Sequence, residues 1–145
     1  LHLPTEYSLL DGACRIGQLM DKVLSLGQDA VAITDHGVMY GVIDFYKAAK
    51  AKGVKPIIGC EVYVASRART DKVHGLDSQN HHLVLLCENY TGYQNLIYMV
   101  SQAFIDGFYK KPRIDHQLLQ EHSEGLIALS ACIAGEVPSL LLQGD

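Results

Sequence analysis

The chain has no tryptophan, only three phenylalanines and four prolines, and no excess of basic charge. Sixteen acidic against twelve basic residues give a net charge of -4, which excludes a protein that grips nucleic acid by phosphate neutralisation alone. No apolar run approaches the roughly 20 residues that a membrane-crossing helix needs, and no basic-then-apolar leader opens the sequence. The expectation is a cytoplasmic protein with no membrane contact. Cysteine is scarce too: Cys14, Cys60, Cys87 and Cys132 include no C-x-x-C pair, so a disulfide framework is not expected. Repeats, low-complexity tracts and Pro/Gly/Ser linkers are also missing.

What is present is a single domain's worth of polypeptide, 145 residues with 48% hydrophobic content. The sequence opens at LHL without a methionine and stops at LLLQGD, which reads as a piece of a longer protein. Short apolar runs alternate with amphipathic stretches. DAVAIT (29–34), KPIIGCEVYVA (55–65), HHLVLLC (81–87) and GLIALSAC (125–132) have the form of buried strands. Ile16, Met20, Val23 and Leu24 mark one helix, closed by Gly27. Met39, Val42, Ile43, Tyr46 and Ala49 stripe a second, closed by Gly53. A third runs through Leu96, Val100, Ala103, Phe104 and Gly107, with Thr91 and Gln94 as its capping box. The expected class is therefore α/β with a largely parallel sheet, and residues 66–80 form a surface loop.

Polar residues interrupt this pattern near strand ends. His2 lies in the first apolar run and Asp11 in the loop behind it. Asp35 and His36 end the second run, Glu61 lies within the third, His81 and His82 open the fourth, and Cys132 ends the last. Imidazole, carboxylate and thiolate converging on one end of a sheet are ligands for zinc, or for iron or manganese where oxygen dominates. Each also has a plain structural reading: a capped helix start at Asp35-His36, a core thiol at Cys132, a lysine-paired carboxylate at Glu61. Asp35 is expected to orient His36.

LHLPTEYSLLDGA, AITDHGVMYGVIDFYKAAKAKGVKPIIGCEVYVA, HHLVLLCENYTGYQNL and GLIALSACIAGEVP together resemble the N-terminal PHP (polymerase and histidinol phosphatase) domain of bacterial DNA polymerase III alpha subunits. The likeness covers the whole chain in order. It implies the first part of a distorted seven-stranded β/α, TIM-like barrel over residues 1–145, cut at both ends, with the palm and fingers of the parent polymerase outside this chain. It also implies metal ligands at His2, Asp11, His36, Glu61, His82 and Cys132, with Pro4 standing where a second histidine belongs. Proline offers no lone pair to a metal.

Three functions follow from that likeness. One is a metal-dependent 3'-5' exonuclease or phosphoesterase domain of a DNA-directed DNA polymerase, whose own nucleotidyl transfer in DNA replication uses magnesium elsewhere in the parent. Another is a metal-free scaffold that supports the polymerase core or a separate proofreading exonuclease. The third is a free-standing phosphatase. Implied partners are DNA, the sliding clamp and the proofreading exonuclease. Lys47, Lys50, Lys52, Lys55, Arg67, Arg69, Lys110, Lys111 and Arg113 are expected at the solvated surface.

Overall fold

The computed structural model describes residues 1–144; Asp145 lies outside the described residues. The elements are α1 (Ile16–Ser25), β1 (Ala30–Ile33), α2 (Val42–Ala51), β2 (Lys55–Ala65), β3 (Asn80–Cys87), α3 (Tyr90–Ile105), β4 (Arg113–Ile114), α4 (His116–Glu121), β5 (Leu126–Leu129) and α5 (Glu136–Gln143). The class is α/β as expected, and none of the described helices is long and apolar enough to cross a membrane.

The sheet is mixed, not largely parallel. Its order is β1-β2-β3-β5, with β4 paired to β2 on the side away from β3. β1 and β4 run parallel to β2, while β3 runs antiparallel to both β2 and β5. The cause is local. No crossover helix lies between β2 and β3, only the 66–79 loop, so the chain turns back and pairs Ala65 with Asn80.

α1 and α2 end where Gly27 and Gly53 take left-handed conformations. The buried face of α2 is Val42, Phe45 and Ala49, so the helix is rotated from the expected stripe: Phe45 is fully buried, and Ile43 and Tyr46 are 52% and 48% exposed. α3 is capped by Asn89, whose side chain accepts the Gly92 N–H, and not by a Thr91–Gln94 box. One core lies between α3 and the face of β2 that bears Cys60, Val62 and Val64; a second joins α1, α2 and Ile33. With Cys60, Val62 and Val64 turned to the helices, strand alternation sends Glu61 and Tyr63 to the opposite face. All four cysteines are free thiols.

Arg113 departs furthest from its expected surface position. It is fully buried, and its guanidinium donates to the carbonyls of Gly107, Asp77, Arg69 and Asp71. Arg67 pairs with buried Asp77 at 2.7 Å, and Arg69 with Asp115 at 3.1 Å. The 66–79 loop lies at the surface as expected, mostly exposed, and arginine contacts to Asp77, Asp115 and the loop carbonyls tie it down from beneath.

Candidate metal centre

Glu61 is the hub. It sits on β2, 3% exposed, with no lysine or arginine paired to it among the described residues. Three imidazoles surround it instead. His36 Nε2 lies 2.9 Å and His2 Nε2 3.4 Å from Oε2, and His82 Nδ1 lies 2.8 Å from Oε1. Cys132 Sγ is 3.6 Å from the same His82 nitrogen. Two groups of three donors result, His2-His36-Glu61 and Glu61-His82-Cys132, each with ligand atoms within 4.8 Å of one another. Imidazole nitrogens within hydrogen-bond reach partner the buried carboxylate, and imidazole, carboxylate and thiolate this close together are donor types that can hold a divalent cation.

Each donor has a local reason for its place. His36 follows β1 and forms a parallel bridge with Glu61: the Asp35 carbonyl accepts the Glu61 N–H, and the Gly37 N–H donates to the Glu61 carbonyl. Gly37 has φ +69, and a Cβ there would lie 2.9 Å from the Tyr63 ring, so only glycine fits this turn. His82 opens β3. In a parallel sheet that end would point away from the carboxyl end of β2, but the antiparallel pairing sets His82 opposite Tyr63. β5 runs antiparallel to β3, so the segment after it returns to the same end and delivers Cys132. The His82 N–H donates to the Ala134 carbonyl, which ties that segment to β3.

His2 reaches the hub from an extended run rather than from a strand. Leu3 exchanges hydrogen bonds with Thr34, and Thr34 Oγ1 lies 2.8 Å from His2 Nδ1, which leaves Nε2 for Glu61. Pro4 follows in that run, and His2 still aims inward. Asp11 belongs to neither group of three donors; its carboxylate lies 3.1 Å from His36 Nδ1, the outer ring nitrogen. That is the orienting position expected of Asp35. Asp35 does not touch the imidazole. Its buried carboxylate accepts from the Thr5 N–H and hydroxyl and from Ser8 Oγ, which in turn accepts the His36 N–H. Asp35 therefore fixes the loop that carries His2 and Asp11. His81, next to His82, falls outside both groups.

Tyr63 closes one flank, its ring edge-on to His82 at 5.3 Å. Burial pushes its phenol up to about 12, so it stays protonated. Burial likewise pushes the Cys60 thiol up, and that thiol donates to the Asp35 and Val38 carbonyls as core, not as a ligand.

Residues 1–145 match the PHP domain family. The chain is 51% identical over 145 residues to the DNA polymerase III subunit alpha of Treponema pallidum, and 50% identical over 147 residues to that of Thermus aquaticus. In both cases 99% of this chain aligns with 12% of the relative, so the chain spans about an eighth of their length. Among solved structures, an amidohydrolase from Chromobacterium violaceum matches 70% of this chain and 31% of its own at 22% identity, with a TM-score of 0.50. That is a likeness of fold, and it fits a partial TIM-like barrel.

Proposed function

Because the chain belongs to the PHP family, we propose that the Glu61 cluster is a divalent-metal centre for phosphoester hydrolysis, carried in the N-terminal region of a replicative DNA polymerase. The observation behind this reading is that one buried carboxylate is common to two three-donor groups, the arrangement a pair of neighbouring ions requires. The likeness to DNA polymerase III alpha subunits supports the parent.

His2, His36 and Glu61 would hold one ion and Glu61, His82 and Cys132 the other, with Asp11 setting the His36 ring. The thiolate at Cys132 favours zinc; the imidazole-carboxylate group also suits manganese or iron. Ions held there would lower the pKa of a bound water and neutralise charge on a phosphoryl oxygen. The chain itself keeps the outer nitrogen of two of the three imidazoles engaged, at Thr34 for His2 and at Asp11 for His36, so that the inner one faces the centre. The substrate in this reading is the 3' end of DNA, degraded 3'-5'. Nucleotidyl transfer with magnesium, the sliding clamp and a separate proofreading exonuclease belong to the remainder of the parent, and the cytoplasm is its compartment.

The test is elemental analysis and degradation of a 3'-labelled primer by the full-length protein and by Glu61→Gln. Bound metal and degradation in the wild type, both lost in the variant, support the reading. A second reading, a metal-free scaffold for the polymerase core or for the proofreading exonuclease, is favoured by Pro4. It predicts no metal and no degradation in either protein.

A further inference from the structure

Resting on that reading, we propose that Lys111 is the side chain that receives the phosphate of the substrate beside the metal centre. Among the described residues only two non-glycine residues have positive φ, Lys110 at 62° and Ala131 at 60°. One immediately precedes Cys132 of the second donor group, and the other immediately precedes Lys111, which lies against the Tyr63 ring that flanks the centre. Left-handed backbone at ordinary residues is unfavourable and persists where the surroundings force it, commonly at functional sites.

The surroundings do force it here. The Tyr109 N–H donates to the Lys111 carbonyl at 3.1 Å, closing a tight turn. Behind it, Arg113 is locked by four carbonyls. In front, Pro112 packs so closely on Gly37 that a Cβ there would lie 3.0 Å from Pro112 Cγ. The turn is therefore seated directly on the loop that carries His36. From it Lys111 Nζ reaches over the Tyr63 ring, 4.2 Å from the centroid, and that ring touches His82.

Lys111 makes no ion pair among the described residues, unlike Lys52 with Asp21 or Arg67 with Asp77. Neighbouring Lys110 is engaged with Ser78 Oγ at 3.2 Å. An exposed ammonium resting on a tyrosine face is held weakly enough to move to an anion, where a charge-assisted hydrogen bond is stronger. A phosphodiester nearing this centre meets the carboxylates of Glu61 and Asp11. An unpaired cation at the rim offsets that repulsion and draws the phosphate inward. The ligand class is a nucleoside monophosphate or the terminal phosphodiester of a single strand, recognised by its phosphate.

The experiment compares full-length wild type, Lys111→Ala and Lys111→Arg. Metal content is measured first, then binding of thymidine 5'-monophosphate, of thymidine and of a labelled oligothymidylate across a salt series. The expected result is unchanged metal content with thymidylate bound about tenfold more weakly by Lys111→Ala, the worth of one charge-assisted contact. Recovery is expected in Lys111→Arg. For the oligomer, the slope of log affinity against log salt should fall by about one. Thymidine, lacking phosphate, should not distinguish the proteins. Equal thymidylate affinity in wild type and Lys111→Ala, or no thymidylate binding in the wild type, overturns the proposal whether or not metal is present. A metal-free, nuclease-inactive wild type that still shows the Lys111 effect refutes the hydrolytic reading and leaves the phosphate site standing.

Discussion

His36 and Glu61 face each other across a parallel bridge and meet again through their side chains, Nε2 to Oε2 at 2.9 Å. The doubled contact fixes the imidazole against the carboxylate before any ion arrives. His82 then meets the other oxygen of that carboxylate. Removing the Glu61 charge should disable both donor groups together. Glu61→Gln is expected to lower metal affinity by more than the roughly 10–100-fold of an outer-shell loss, whereas Asp11→Asn should stay within that range. Titration with a competing chelator separates the two; equal affinities in both variants would count against a shared carboxylate.

Four of the five strands were legible because β-branched apolar runs state themselves; β4, two residues at Arg113–Ile114, carries too little pattern to read, and β5 fills only Leu126–Leu129 of the expected 125–132 run. KPIIGCEVYVA matches β2 residue for residue. Strand direction was not legible, since periodicity is the same either way, and the pattern could not show that the 66–79 loop turns the chain back. The assembly of the site depends on that direction, because only an antiparallel β3 brings His82 to the end where His36 and Cys132 lie. The helix phase of α2 is ambiguous in the sequence because Phe45 and Tyr46 are adjacent aromatics, and Tyr46, with its hydroxyl, is the one left half-exposed. In KKPR the charges suggested solvent. Arg113 is the exception because its planar donors can satisfy several carbonyls at once.

That burial carries a stability consequence. Arg113→Met would leave the carbonyls of Gly107, Arg69, Asp71 and Asp77 without their guanidinium donor, at a cost of about 3 kcal/mol. Urea unfolding reads the total, and limited proteolysis between residues 66 and 79 reads the local release. An unchanged midpoint would show that water replaces the guanidinium freely.

The same loop should open in acid. The Arg67 hydrogen bond, aided by the Val73 N–H, outweighs burial and holds the Asp77 carboxyl down to about 2 from its ordinary 3.8. At Asp115 burial pushes upward, but the Arg69 and Leu118 N–H bonds prevail and the net shift is also down. Groups depressed in the folded state stabilise it fully above their unfolded values and cease to as the pH falls through the folded ones. Loop protection against hydrogen exchange should thus be flat from pH 7 to about 5 and fall between about 4 and 2. Asp77→Asn should lose it already at pH 7.

Thiol chemistry offers an independent check of the centre. Cys14 and Cys132 are exposed, Cys60 is buried, and burial raises the Cys87 thiol to about 11. Iodoacetamide at neutral pH should modify Cys14 and Cys132 first. Adding zinc should protect Cys132 and leave Cys14 as reactive as before. Protection of both, or of neither, would remove Cys132 from the donor set.

Pro4 offers the sharpest test of how complete the first donor group is. His2 and residue 4 lie two apart in an extended run, so both project to one side, and His2 projects to Glu61. A histidine at position 4 would therefore add a donor beside the group that now has His2, His36 and Glu61. Nothing in the backbone opposes the change. The bonds that hold the run are made by Leu3 with Thr34 and by Thr5 with Asp35, and none needs the proline ring. With three donors from this group a bound ion keeps an exchangeable position filled by water, and its affinity falls accordingly. Full-length wild type is expected to hold metal below full stoichiometry and to degrade 3' ends slowly. Pro4→His should raise both, with metal affinity up by about tenfold or more. Elemental analysis and primer degradation on the two proteins side by side decide the matter. Full occupancy and rapid degradation in the wild type would mean that the donors already gathered around Glu61 suffice, and that Pro4 costs the centre nothing.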